Sequence, residues 1–205
     1  MRHANELAAI SLHHFTINLT SVFSEEVFNE LSHFMGNNPL VQFALQPVLI
    51  FGVIFHFVMG FVLEIQNRKA RASKYATNNG AANSSWMSRN MIISGAVVLS
   101  FLGLHFYDFW IPEMNYKYVE VLPENPTRYF EEMTHKFESP VRVGLYVVSF
   151  VFLALHLLHG FSSSFQSLGA NNKYTRAIKG FTTAFAIGIP LGFVFIALFH
   201  HLTAF

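Results

Sequence analysis

Histidine is the residue whose placement in this chain could do chemistry. His14 (beside His13), His56, His105 and His156 (with His159 one turn on) each fall inside a different long apolar stretch. An imidazole buried in an apolar helix costs insertion free energy and needs a partner. One such residue would read as a hydrogen-bonded core group. Four, one per stretch, point to a shared task. The chain has no cysteine, so no disulfide framework, iron–sulfur ligation or thiolate zinc site is available within it. Any metal must be held by histidine, methionine or carboxylates.

The elements that position these histidines follow from composition. Of 205 residues, 52% are apolar and 12% charged, and a soluble domain of this size would carry about twice that charged fraction. Lipid is therefore the expected solvent. The net charge of +1 argues against a nucleic-acid surface. Four stretches, at about 41–65, 91–111, 141–161 and 178–202, are nearly continuous in apolar residues. Each is long enough to cross a bilayer, which takes roughly 20 residues as helix. A fifth span is expected at 7–23, although His13, His14, Thr16, Asn18 and Thr20 make it polar; such side chains usually face a bundle interior. An interfacial segment is the alternative there.

Charge in the connections sets the topology. The segment 67–89 holds Arg68, Lys69, Arg71, Lys74 and Arg89 without an acid, and Lys173, Arg176 and Lys179 follow the fourth span likewise. The first connection carries Glu25, Glu26 and Glu30 without a base, and 108–140 has seven acids against three bases. This alternation is the positive-inside pattern and places the N-terminus in the cytoplasm. An external acidic loop at Glu25 also requires a crossing before it. No cleavable signal peptide is recognisable at the start. The run 75–85 reads as a flexible linker, and 107–139 as a loop with room for a short interfacial helix.

At about 1.5 Å per helical residue, His56 and His156 fall in the cytoplasmic half of their spans, and His14 and His105 toward the external half. Paired imidazoles at one depth in a helix bundle suit bis-histidine haem, with one axial nitrogen from each of two facing helices. Gly60 and Gly160 each follow an inner histidine by four residues, on the same helix face. There they would clear room for a flat macrocycle; small-residue helix contacts are the rival explanation. Zinc fits less well, because it wants three or four converging ligands. His200, His201 and His135 read as interfacial or solvated. The expected fold is an all-α integral membrane protein of five transmembrane helices in a single domain, the first four forming a haem-binding bundle.

The runs His14-Phe-Thr-Ile-Asn18, Asn38-Pro39-Leu40 leading to Phe55-His56-Phe57 and Gly60, Gly103-Leu104-His105-Phe106-Tyr107-Asp108, and His156-Leu-Leu-His-Gly160 carry a resemblance. Over nearly its whole length the chain resembles the succinate dehydrogenase or fumarate reductase cytochrome b subunits of the dihaem, single-polypeptide type, especially Bacteroidetes-like members. The resemblance implies a bacterial inner-membrane anchor for a flavoprotein subunit and an iron–sulfur subunit, with room for a dimer of complexes. It implies two haem b groups and menaquinone as the redox partner. It assigns the inner haem to His56 and His156 and the outer haem to His14 and His105. Two features depart from the family pattern. His14 stands 13 residues after Met1, whereas family members usually have a longer N-terminus; and Ala154 occupies the place where some relatives carry a proton-conducting glutamate.

Among the remaining polar groups, Arg68, Arg89 and Lys179 are candidates to meet inner-haem propionates or the iron–sulfur subunit through charge-assisted bonds. Most basic groups on that face simply follow the positive-inside bias. Glu30, His33 and Asp108, on the external side, are candidates to bond a quinone or exchange its protons, against the simpler reading of solvated loop groups. A histidine-lined proton channel or transporter without haem is the rival function, and a purely structural anchor the third.

Overall fold

The computed structural model describes residues 2–70, 90–167 and 173–204, and among them every regular element is helical. In chain order these are α1 (Arg2–Thr20), α2 (Glu25–Asn37), α3 (Val41–Ala70), α4 (Met91–Val119), α5 (Arg128–Phe137), α6 (Pro140–Ser167) and α7 (Thr175–Thr203). Four of them, α3, α4, α6 and α7, are long and apolar enough to span a membrane, which makes this a membrane protein. α1 is a helix of 19 residues, but its histidines, threonines and asparagine keep it out of that group. The linker at 75–85, together with Arg71, Lys74 and Arg89, lies outside the described residues.

Prolines shape two of the spans. α3 opens with π-helical turns at Val41–Leu45, and α4 contains them at Phe106–Trp110. Each lies just before a proline, Pro47 or Pro112, whose missing N–H leaves the carbonyl four residues earlier without its helical partner. Widening to i→i+5 pairing absorbs that break without ending the helix. α4 therefore runs beyond residue 111, through a second π turn at Asn115–Val119.

Two of the connections are themselves folded. Ser24 caps α2, its hydroxyl accepting from the Val27 N–H at 3.2 Å, and Glu25 and Glu26 in the first turn complement the helix dipole. α2 and α5 lie over one end of the bundle, closing a core of Phe28, Met133, Phe137, Val143, Tyr146, Phe150 and Ala197. Polar bonds lock this cap. Asn29, buried on α2, accepts from the Phe130 N–H at 2.9 Å. Glu113 pairs with Lys117 at 2.5 Å and with Arg128, and accepts from the Tyr129 hydroxyl at 2.7 Å. Arg128 also lies against the rings of Tyr116 and Tyr129, 4.0 and 4.4 Å from their centroids. Gly36 sits close beneath this cluster: a Cβ there would come within 2.6 Å of the Tyr129 hydroxyl, which would have to shift.

Both histidines at the end of α7 belong to this packing. Buried His200 bonds Ser21 at 2.8 Å, and the His201 ring bonds the Phe137 carbonyl at 2.8 Å, tying α7 to the end of α1 and to α5. His135 remains exposed, beside Glu138. Within the bundle α7 packs along α6, α6 along α4, and α1 against α7 and α6. α3 touches α1 and α4 and has no buried residue.

Candidate functional site

Four helices bring the intramembrane histidines together in two pairs. His14 of α1 faces His105 of α4 with ring centroids 5.7 Å apart and planes at 87°. His56 of α3 faces His156 of α6 at 6.1 Å and 85°. His56, His105 and His156 are half-buried, and His14 is more exposed. Neighbouring histidines do not take these places: His13 turns to Met35 of α2, its Nε2 3.4 Å from the sulfur.

The pairs lie at different levels. Ser94, which touches His156, and His105 itself are separated along α4 by eleven residues, or about 16 Å of helix. Among the described residues no group of three or more His, Cys, Asp or Glu side chains converges as a metal site. The histidines thus stand as two separate pairs.

Two imidazoles on opposite sides of one metal ion have a characteristic separation. With metal–nitrogen bonds of about 2.0–2.1 Å and roughly another ångström from nitrogen to ring centre, the centroids stand about 6–6.5 Å apart. Both observed pairs lie within about an ångström of that value. Surrounding residues fit a flat ligand. Gly52 and Gly60 flank His56 one turn before and after, on its own face, and a Cβ at either would meet nothing within 4 Å. Gly103, two residues before His105, is equally open. Gly160 differs, since a Cβ there would lie 3.2 Å from Met91 on α4. It serves the close approach of α6 to α4, the small-residue packing common in membranes.

Polar groups around the rings define their roles. On the inner pair, His156 Nδ1 lies 3.2 Å from the Ser94 hydroxyl, itself 2.9 Å from the Met91 carbonyl. On the outer pair, the buried Nδ1 of His105 has no hydrogen-bond partner among the described residues. Aromatic rings surround that histidine: Phe101 at 5.8 Å, Phe109 at 5.2 Å and Tyr146 at 6.5 Å between centroids.

Asp108, one turn beyond His105, is the deepest charged group. Its side chain is fully buried, accepting from the Tyr146 hydroxyl at 3.0 Å and pairing with Arg142 at 2.8 Å. It is not a solvated loop group, and it is not among the residues lining the recess that holds the two other quinone candidates. Those two do lie together: Glu30 and His33 line a recess of about 650 Å³ with Glu25, Glu26, Asn29, Pro126 and Thr127. The His33 ring donates to the Asn125 carbonyl at 2.9 Å. On the basic side, Arg68 pairs with Glu64 of its own helix at 2.6 Å, and Lys179 is exposed in the second turn of α7.

Sequence reasoning missed Ser94, Tyr146 and Arg142. A polar residue inside a span signals a partner, and Ser94 carried that signal without saying which. No protein-family model, curated protein or solved structure matches this chain.

Proposed function

We propose that this chain is the dihaem cytochrome b anchor subunit of a succinate:quinone oxidoreductase in a bacterial inner membrane. The observation that carries the reading is the pairing of four intramembrane histidines, at two levels, with ring separations of 5.7 and 6.1 Å. His56 and His156 would hold one haem b and His14 and His105 the other. Bound there, the haems supply one-electron transfer between an iron–sulfur subunit on the cytoplasmic side and menaquinone. The dicarboxylate chemistry belongs to a separate flavoprotein subunit.

The chain's own part is binding, orientation and insulation. Gly52 and Gly60 keep the face around His56 flat. Phe101, Phe109 and Phe193 supply apolar walls near the outer histidines, Phe193 lying 5.9 Å from His14. Five crossings, with the N-terminus in the cytoplasm, complete the proposed topology. α1 is then the fifth span, because it supplies a histidine to the outer pair.

Haem content in single variants tests this reading. His56→Ala and His156→Ala should each lose one and the same haem, told apart by its midpoint potential, while His14→Ala and His105→Ala lose the other. Retention of both haems in any of the four variants would contradict the ligand assignment.

A further inference from the structure

A hydroxyl has one proton to give and lone pairs to accept with. Ser94 is buried, and its hydroxyl donates to the Met91 carbonyl of its own helix at 2.9 Å. Toward His156 it can then act only as an acceptor. The group 3.2 Å away is Nδ1 of that ring, and the pairing that satisfies both groups has Nδ1 carrying and donating the proton, with Nε2 left as a bare lone pair. The adjacent residue completes the seat, since a Cβ at Gly95 would lie 3.6 Å from His156 Cε1. Two consecutive positions of α4 thus hold one edge of the ring, one by a directed bond and one by close backbone approach.

We infer that Ser94 is the positioning residue for the inner metal ligand, fixing His156 in the tautomer and orientation that present Nε2 for coordination. The inference deepens the functional reading above and rests on it. Metal-bound histidines almost always donate their second ring N–H to an acceptor, which orients the ring and raises its basicity. Ser94 is that acceptor for His156. The outer pair has no such acceptor at His105, whose Nδ1 is unpartnered among the described residues. The two sites therefore differ in the basicity of one ligand, and a more basic imidazole favours the oxidised metal.

Redox titration and electron paramagnetic resonance of the full chain, purified with its haems, test the inference. Ser94→Ala removes the acceptor with the smallest change in volume, and Ser94→Thr keeps a hydroxyl. The haem that disappears in His156→Ala identifies the inner signal. In Ser94→Ala that haem should move to a higher midpoint potential and change its low-spin signal, with the outer haem unmoved. Ser94→Thr should stay with the wild type. Unchanged inner potential and signal in haem-loaded Ser94→Ala would overturn the role of Ser94 and leave the functional reading standing. Absence of haem from the folded wild type would overturn both.

Discussion

Asp108 shows how a single residue ties the candidate site to the fold. Its carboxylate is fully buried one turn from His105, and both partners, Tyr146 and Arg142, come from α6. It therefore fixes α4 against α6 at the level of the outer histidines. Removing one member of a buried pair leaves the other uncompensated, a loss of about 3–5 kcal/mol. Arg142 is 27% exposed and can turn to solvent, so the lower end applies. Asp108→Ala should lower the stability of the detergent-solubilised chain by about 3 kcal/mol. Thermal unfolding followed by circular dichroism measures this, and an unchanged midpoint would show that the pair contributes nothing net. Asp108→Asn retains an acceptor for Tyr146 and should lose less. Residue spacing made the histidines legible: their depth along each stretch predicts which rings meet, and the structure brings those rings together. It did not reveal the burial of Asp108. That burial comes from Tyr146 and Arg142 of α6, a tertiary effect absent from any local pattern.

At the scale of elements, hydropathy located α3, α4, α6 and α7 because an apolar run of sufficient length has few other ways to satisfy its backbone than as a membrane helix. Boundaries were less legible, since α4 continues past Pro112 by widening into π turns. α2 was missed altogether: its charged first turn, Glu25 and Glu26, resembles a solvated loop until the Ser24 cap and the cover of α5 are seen. α1 is the informative intermediate. Several of its polar groups bond back to their own helix: Thr16 to the Leu12 carbonyl at 2.9 Å, Asn18 to His14 at 2.8 Å and Thr20 to Ile17 at 2.7 Å. Such back-bonding lets a helix of modest hydropathy satisfy its polar side chains in lipid. Because the chain lacks cysteine, single introduced thiols report topology without background. In intact spheroplasts, a membrane-impermeant maleimide should label Glu30→Cys from outside and reach Ala4→Cys only after permeabilisation. Equal labelling of both positions before permeabilisation would show that α1 does not cross.

For the whole molecule, packing is uneven in a way that matches a division of labour. Its main hydrophobic core lies at one end of the bundle, where α2 and α5 cover the ends of α6 and α7 and polar bonds around Glu113 lock the cover. α3, which brings His56 to the inner pair, has no buried residue and presents apolar side chains such as Phe51, Ile54 and Val58 outward. A helix of that kind is stabilised by lipid and by whatever binds between it and its neighbours. On the proposed function, the two histidine pairs hold haem. A dithionite-reduced minus oxidised spectrum of the purified, folded chain, with pyridine haemochrome quantification, tests it most directly. Two haem b groups per chain is the predicted result. A folded chain without haem absorbance would contradict the account and turn attention to the histidines as a proton relay.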